Sequence, residues 1–189
     1  GRVFLFGARD TWLVVGLPLF LYSTLSNGTN DDNKQVFFII GMFMALWTIF
    51  YGFIQSLTPK ILSKNQSIGK QTKNWASLLI AIPVLLLVLS SYFKDYSLYI
   101  TIFLLFVFGF AFAVNSSLHS FLILRYTDKK RVTLDVGFYY MSNAFGRLIG
   151  TFLSGLSIQL GGFITCIFIT ALMLALNRVS MEKLDLKNI

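Results

Sequence analysis

Asp135, Tyr139, Asn143 and Arg147 follow one another at four-residue steps. On a helix each step drifts by about 40°, so the four share one broad face and present a carboxylate, a phenol, an amide and a guanidinium to a common space. That set suits recognition of a small anionic solute, because the planar, permanently charged arginine fork matches the oxygens of a carboxylate or phosphate. Arg147 lies near the middle of a long apolar stretch. A charge at such depth in a bilayer costs about 2.5 to 3.5 kcal/mol on insertion scales, so it needs a purpose, and substrate anchoring is the one expected.

Other polar residues inside apolar stretches extend the candidate set. Trp47, Tyr51 and Gln55 share a helical face that either packs as core or lines a pocket. Asn115 and His119 stand four apart. Arg9 and Asp10 are sequence neighbours whose side chains leave a helix about 100° apart, so each is expected to look to another helix. Depth counted from the helix entries places Arg9, Asp10, His119 and Asp135 in one half of the membrane, where Asp10, Asp135, His119 and Asn115 would form a gate or proton-coupling network, His119 by titration near neutral pH. The expected substrate-binding residues are Arg147, Arg9, Asn143, Tyr139, Tyr51 and Gln55. Asp135 is expected to engage Lys130 or Arg131, leaving the pocket net positive.

Enzymatic readings fare poorly. The sequence has no HExxH, GxxxxGK[ST] or GxSxG motif. With one histidine, one cysteine and no carboxylate cluster, no metal site and no cofactor is expected. Cys166 sits in an apolar stretch as a small core or lipid-facing residue. The net charge of +8 is gathered in alternate loops and is not interleaved with aromatics on one polar surface, which argues against a nucleic-acid partner.

Positioning these side chains is the task of very apolar elements. The 189 residues are 56% hydrophobic with a mean hydropathy of +0.71, too apolar for a domain that keeps a wetted surface. Spans are expected at about 3–25, 36–57, 75–93, 98–125, 134–160 and 162–178. They read as helices, because an isolated strand would leave backbone groups unpaired in lipid. Pro18 and Pro83 should disturb the first and third, and Pro59 should close the second. Gly146, Gly150 and Ser154 form a small-residue ladder expected to bring a neighbouring helix close.

Lys60, Lys64, Lys70 and Lys73 follow the second span, Arg125, Lys129, Lys130 and Arg131 follow the fourth, and Arg178, Lys183 and Lys187 follow the sixth. The opposite loops hold only Lys34 and Lys94. The positive-inside rule then makes the basic loops and C-terminus cytoplasmic, and an even number of spans puts Gly1 on that side too. The Asn27-Gly28-Thr29 and Asn65-Gln66-Ser67 sequons read as chance matches.

Spans three and six are almost free of polar groups and are expected to face lipid, whereas one, two, four and five carry them all. The order polar, polar, plain therefore occurs twice, and three spans per unit invert the second unit. Inverted three-plus-three repeats mark secondary transporters, and one such repeat makes a six-span half of a major facilitator protein. A proton-coupled exporter of drugs or sugars and a non-transport membrane scaffold with a polar packing core remain the alternatives.

The run Phe4-Leu5-Phe6-Gly7-Ala8-Arg9-Asp10, with Trp12 and Val14-Val15-Gly16-Leu17-Pro18, resembles the seventh helix of the ArsJ-type organoarsenical efflux permeases of the major facilitator superfamily. Val132 to Met141, continuing through Asn143, Gly146-Arg147 and Gly150, is similar to a later helix of the same family, and Tyr51-Gly52 with Gln55 fits as well. The resemblance implies a C-terminal half whose N-terminal six-helix half is missing. It also implies efflux of 1-arseno-3-phosphoglycerate across the cell's inner membrane, which confers arsenate resistance.

Overall fold

The computed structural model describes residues 1–26, 30–62, 68–127 and 131–182. Both sequons' acceptor stretches, and Lys64, Lys129, Lys130, Lys183 and Lys187, lie outside the described residues. Those described are all-helical, apart from short connections: α1 (Arg2–Leu13), α2 (Gly16–Leu25), α3 (Asn30–Ile61), α4 (Ile68–Tyr92), a 3-10 turn (Lys94–Tyr96), α5 (Ser97–Tyr126) and α6 (Val132–Glu182). Five segments, with α1 and α2 taken together, are long and apolar enough to cross a membrane. This is the make-up of a multi-pass membrane protein.

The first expected span is a broken helix. Pro18 has no N–H to offer the Val14 carbonyl, and the chain leaves helical hydrogen bonding at Val14–Val15. The N–H groups of Val15 and Gly16, freed by the break, both donate to Ser154 Oγ on α6, at 3.2 and 3.1 Å. A side chain from another helix thus caps the start of α2, the task an N-cap residue usually performs locally. Ser154→Ala is expected to cost about 1 kcal/mol for the lost cap, readable as a lower melting temperature in detergent. By contrast, α4 runs unbroken through Pro83 and α3 continues two residues past Pro59 to Ile61.

At 51 residues α6 would be about 75 Å long if straight, more than twice a hydrocarbon core. It is interrupted at Gly161–Gly162, where Gly162 adopts φ +71° and ψ −160°, a combination essentially reserved for glycine. Contacts with α1 and α2 give the direction of each arm. Gly146 packs on Val3, Gly150 on Gly7, and Ser154 on Val15 and Gly16, so residues 132–160 run parallel to α1. Asn177 and Met181 lie beside Gly1, Met173 beside Gly7, and Cys166 beside Gly16, so residues 163–182 run antiparallel to it. The chain reverses between the arms, at the position where two stretches were expected to part.

The core is centred on α1 and α5. Phe6 meets Phe112 and Trp12 meets Phe108 edge to face at 5.3 and 5.0 Å, and Trp47 of α3 lies over Gly109 of α5, its indole N–H donating to the Leu105 carbonyl at 3.2 Å. Cys166 is buried against Gly16, which settles it as a core residue. The ladder of Gly146, Gly150 and Ser154 does bring α1 and α6 into backbone contact.

One expectation is corrected. Stretches 75–93 and 162–178 are not simply peripheral: α4 buries Ala76, Leu79, Ile82 and Leu86, and the second arm of α6 buries Cys166, Ile167, Thr170, Met173, Leu174 and Asn177. Thr170 donates to the Ala8 carbonyl of α1 at 3.1 Å rather than to its own helix. The least buried element is α3, with 11% of its most apolar window covered against 28% for α4. Gly1 lies beside His119, Asn177 and Met181, and Val3 is level with Gly146, well inside the first arm of α6.

Ile68, Leu122 and Met181 pack together, so the start of α4 and the ends of α5 and α6 meet at one end of the bundle. Lys70, Arg125 and Arg178 belong to those helix ends, while Lys94 lies at the opposite end beside Gly161 and Ser97.

Candidate functional site

Arg9, Asp10 and Arg147 form one cluster. Arg9 Nε donates to Asp10 Oδ1 at 2.7 Å, and Arg147 Nε donates to Asp10 Oδ2 at 3.1 Å. Asp10 is 2% exposed, so both its oxygens are spent on guanidinium groups. The Arg9 guanidinium also stands over the rings of Phe6 and Phe112, at 5.0 and 5.3 Å from their centroids, where aromatic faces favour a cation. The Arg147 side chain keeps 59% of its surface open.

The two neighbours on α1 therefore do pair, against the expectation that each would turn to a different helix. The Cβ directions diverge, but a guanidinium at the end of a flexible stem can reach back to the next residue's carboxylate. Asp10 then completes the link to α6. Depth counted from Gly1 fails for the same cluster: because Val3 is level with Gly146, Arg9 and Asp10 lie as deep as Arg147, not in a separate layer.

These three residues, with Leu13, Val14, Met44, Trp47, Thr48 and Tyr51, line a cavity of ≈ 340 Å³. Its walls are mostly apolar, with charge confined to one side, the usual composition of a small-molecule pocket. Two cations and one carboxylate line it, so its net charge is +1. Tyr51 stacks on Trp47 at 6.0 Å and leans on Phe112 at 5.7 Å, so the aromatic face of α3 is at once core packing and pocket wall.

Gln55 is not in this cavity. Its side chain donates to Ser116 Oγ at 3.5 Å and its carbonyl accepts from Ser117 Oγ at 3.5 Å, joining α3 to α5. Asn143 lies half-buried between the levels of Tyr139 and Arg147, its Oδ1 buried without a partner. Tyr139 and Asp135 line a second cavity, of ≈ 280 Å³, with Arg2, Ile123, Phe138 and Ser142. Among the described residues Asp135 has no ion pair; Lys130 lies outside them.

The suggested gate group does not converge. Asn115 is fully buried and donates to the Trp75 and Ala111 carbonyls at 3.0 and 2.8 Å, a helix-packing role. His119 is 6% exposed, its Nε2 without a partner, near Gly1 and Asn177 rather than in either charged cavity. Asp10 belongs to the arginine cluster and Asp135 to the second cavity. Among the described residues no group of three or more metal-ligating side chains occurs.

Sequence reasoning passed over Arg2. Its guanidinium is sandwiched between the rings of Phe6 and Tyr139, 4.2 and 4.1 Å from their centroids, and Nη1 donates to the Ser116 carbonyl at 3.1 Å. The spacing of Arg2, Phe6 and Arg9 was the available signal, since residues four and seven apart share a helix face.

Fold and site together define an all-helical membrane protein with a buried carboxylate bridging two arginines at the wall of a cavity. No protein-family model, curated protein or solved structure matches the chain.

Proposed function

We propose that the chain is the C-terminal six-span half of a secondary transporter of the major facilitator type, which exports a small anionic solute by alternating access. The observation that carries this reading is the Arg9–Asp10–Arg147 cluster at the wall of a ≈ 340 Å³ cavity. One carboxylate holds two guanidiniums in place and leaves a surplus positive charge with donors still free for an incoming oxyanion.

The six-span count takes the two arms of α6 as separate passes and α1 with α2 as one. Polar stretches recur in positions one, two, four and five, which supports an inverted three-plus-three repeat. The exposed Arg147 supports a missing partner half. A guanidinium open to lipid would be costly, so its face belongs to water or protein, which a second six-helix half would supply. Basic helix ends favour the inner membrane of a cell with the C-terminus cytoplasmic. The resemblance to ArsJ-type permeases names 1-arseno-3-phosphoglycerate as substrate.

The test uses full-length protein in everted vesicles, measuring organoarsenical uptake beside arsenate resistance of the cells. Arg147→Ala at equal expression is expected to lower uptake at least about tenfold, the worth of one charge-assisted hydrogen bond. Unchanged uptake removes the anchor role. Movement of a different solute alone rejects the organoarsenical and keeps the transporter.

A further inference from the structure

We infer that Arg2 forms a second anion-recognition station, one stage along α1 from the Arg9–Asp10–Arg147 cluster. The inference rests on reading that cluster as part of an anion pathway. Arg2 and Arg9 are seven residues apart, about 10 Å along a helix axis. Both guanidiniums stand over the one Phe6 ring, at 4.2 and 5.0 Å from its centroid. On the parallel arm of α6, Tyr139 and Arg147 are eight residues apart and pair with Arg2 and Asp10 respectively. Asn143 lies between them with an unpartnered Oδ1. The charged groups thus follow α1 and α6 together, in two stages.

The electrostatics of Arg2 differ from those of Arg9. Arg9 is matched by a carboxylate at 2.7 Å. Among the described residues Arg2 has no ion pair: its contacts are two aromatic faces and one backbone carbonyl, and its Nε is buried without a partner. A positive charge held rigidly and without a direct ion pair, at the wall of a ≈ 280 Å³ cavity that it shares with Asp135, can still receive an anion at its free donors. The aromatic sandwich fixes the fork in one plane, which favours planar, two-point contact with oxygens.

Asp135 lines the same cavity and sets the class of ligand. Its carboxylate repels a bare anion but accepts hydroxyl donors. The Ser142 hydroxyl can accept them too, its own proton going to the Phe138 carbonyl, while the Tyr139 hydroxyl is already bonded to Ser120. The station therefore suits a small anion that also carries hydroxyl groups, such as a hydroxylated phosphate monoester. Arg2 would set specificity for solute entering or leaving at this end, with Arg9 and Arg147 receiving it next.

Binding of labelled glycerol 3-phosphate to purified full-length protein tests this, with thermal melting of each variant recorded alongside. Arg2→Met is expected to raise Kd about tenfold, the cost of one charged hydrogen bond, and Arg2→Lys, which keeps the charge but loses the planar fork, to fall between wild type and Arg2→Met. A wild-type Kd in Arg2→Met overturns the station. So does an equal loss in Arg2→Lys and Arg2→Met, which would trace the effect to packing between the Phe6 and Tyr139 rings. Arg147→Met separates the two levels: if it loses binding while Arg2→Met does not, only the second station fails. If neither changes Kd, or the unsubstituted protein does not bind, the anion pathway itself is rejected.

Discussion

Asp10→Ala is expected to destabilise the protein by about 3 to 5 kcal/mol, the usual cost of removing one partner from a buried charge network. Asp10 is 2% exposed and receives both Arg9 and Arg147. Without it, two guanidiniums face each other with no counter-charge, and Arg9, whose side chain is 15% exposed, cannot turn fully to water. The readout is a melting curve in detergent, with export measured in vesicles. Both should fall, because the carboxylate also sets where the two forks point.

Pairing the change with a second one separates charge from shape. The cluster carries +1 from two arginines and one aspartate. Asp10→Asn alone raises it to +2, whereas Asp10→Asn with Arg9→Gln returns it to +1. The double variant is expected to melt closer to wild type than Asp10→Asn does, while export stays low because one recognition fork is gone. If the single and double variants melt alike, repulsion between the arginines is not what Asp10 relieves.

The sequence disclosed the helices because lipid and protein interior both select apolar residues, and the expected parting of stretches 134–160 and 162–178 falls at the turn of Gly161–Gly162. It hid the helix ends where polar residues are covered by protein. Gln71 and Thr72 extend α4 back to Ile68, inside the bundle, where hydropathy sees only a loop. Pro18 signalled a break in the first span, but Ser154 became its cap only through tertiary contact. Within the site, the four-residue steps of Asp135, Tyr139, Asn143 and Arg147 did place them along one arm. Asp135 and Tyr139, however, line one cavity and Arg147 another, a division that only the register of α1 could make, and Asn143 lines neither. Reading depth from Gly1 put Arg9 and Asp10 in the wrong layer and left Arg2 at an edge, when it sits between two rings.

That register hangs on glycines, and Gly150→Ala is expected to upset it. A Cβ at Gly150 would press on the Gly7 carbonyl oxygen and lie 2.9 Å from Gly7 Cα; one at Gly146 would meet the Val3 carbonyl and lie 3.0 Å from Val3 Cα. These neighbours are backbone atoms of a packed helix and cannot swing aside, so α1 must move away from α6. Overpacking of this kind costs about 1 to 3 kcal/mol. The displacement also acts on the site, because the same two helices hold the Arg147–Asp10 contact at 3.1 Å and the Ser154 cap on α2. Gly155→Ala is the control: nothing lies within 4 Å of a Cβ there, and alanine suits a helix better than glycine by about 1 kcal/mol. Gly7→Ala should fall between, since its nearest obstacle is the mobile methyl of Met173 at 2.5 Å. Melting temperature and export should therefore fall together in the order Gly150, Gly7, Gly155. Equal behaviour of Gly150→Ala and Gly155→Ala would mean that α1 and α6 are not in backbone contact, and the shared register of the two arginine stations would lose its basis.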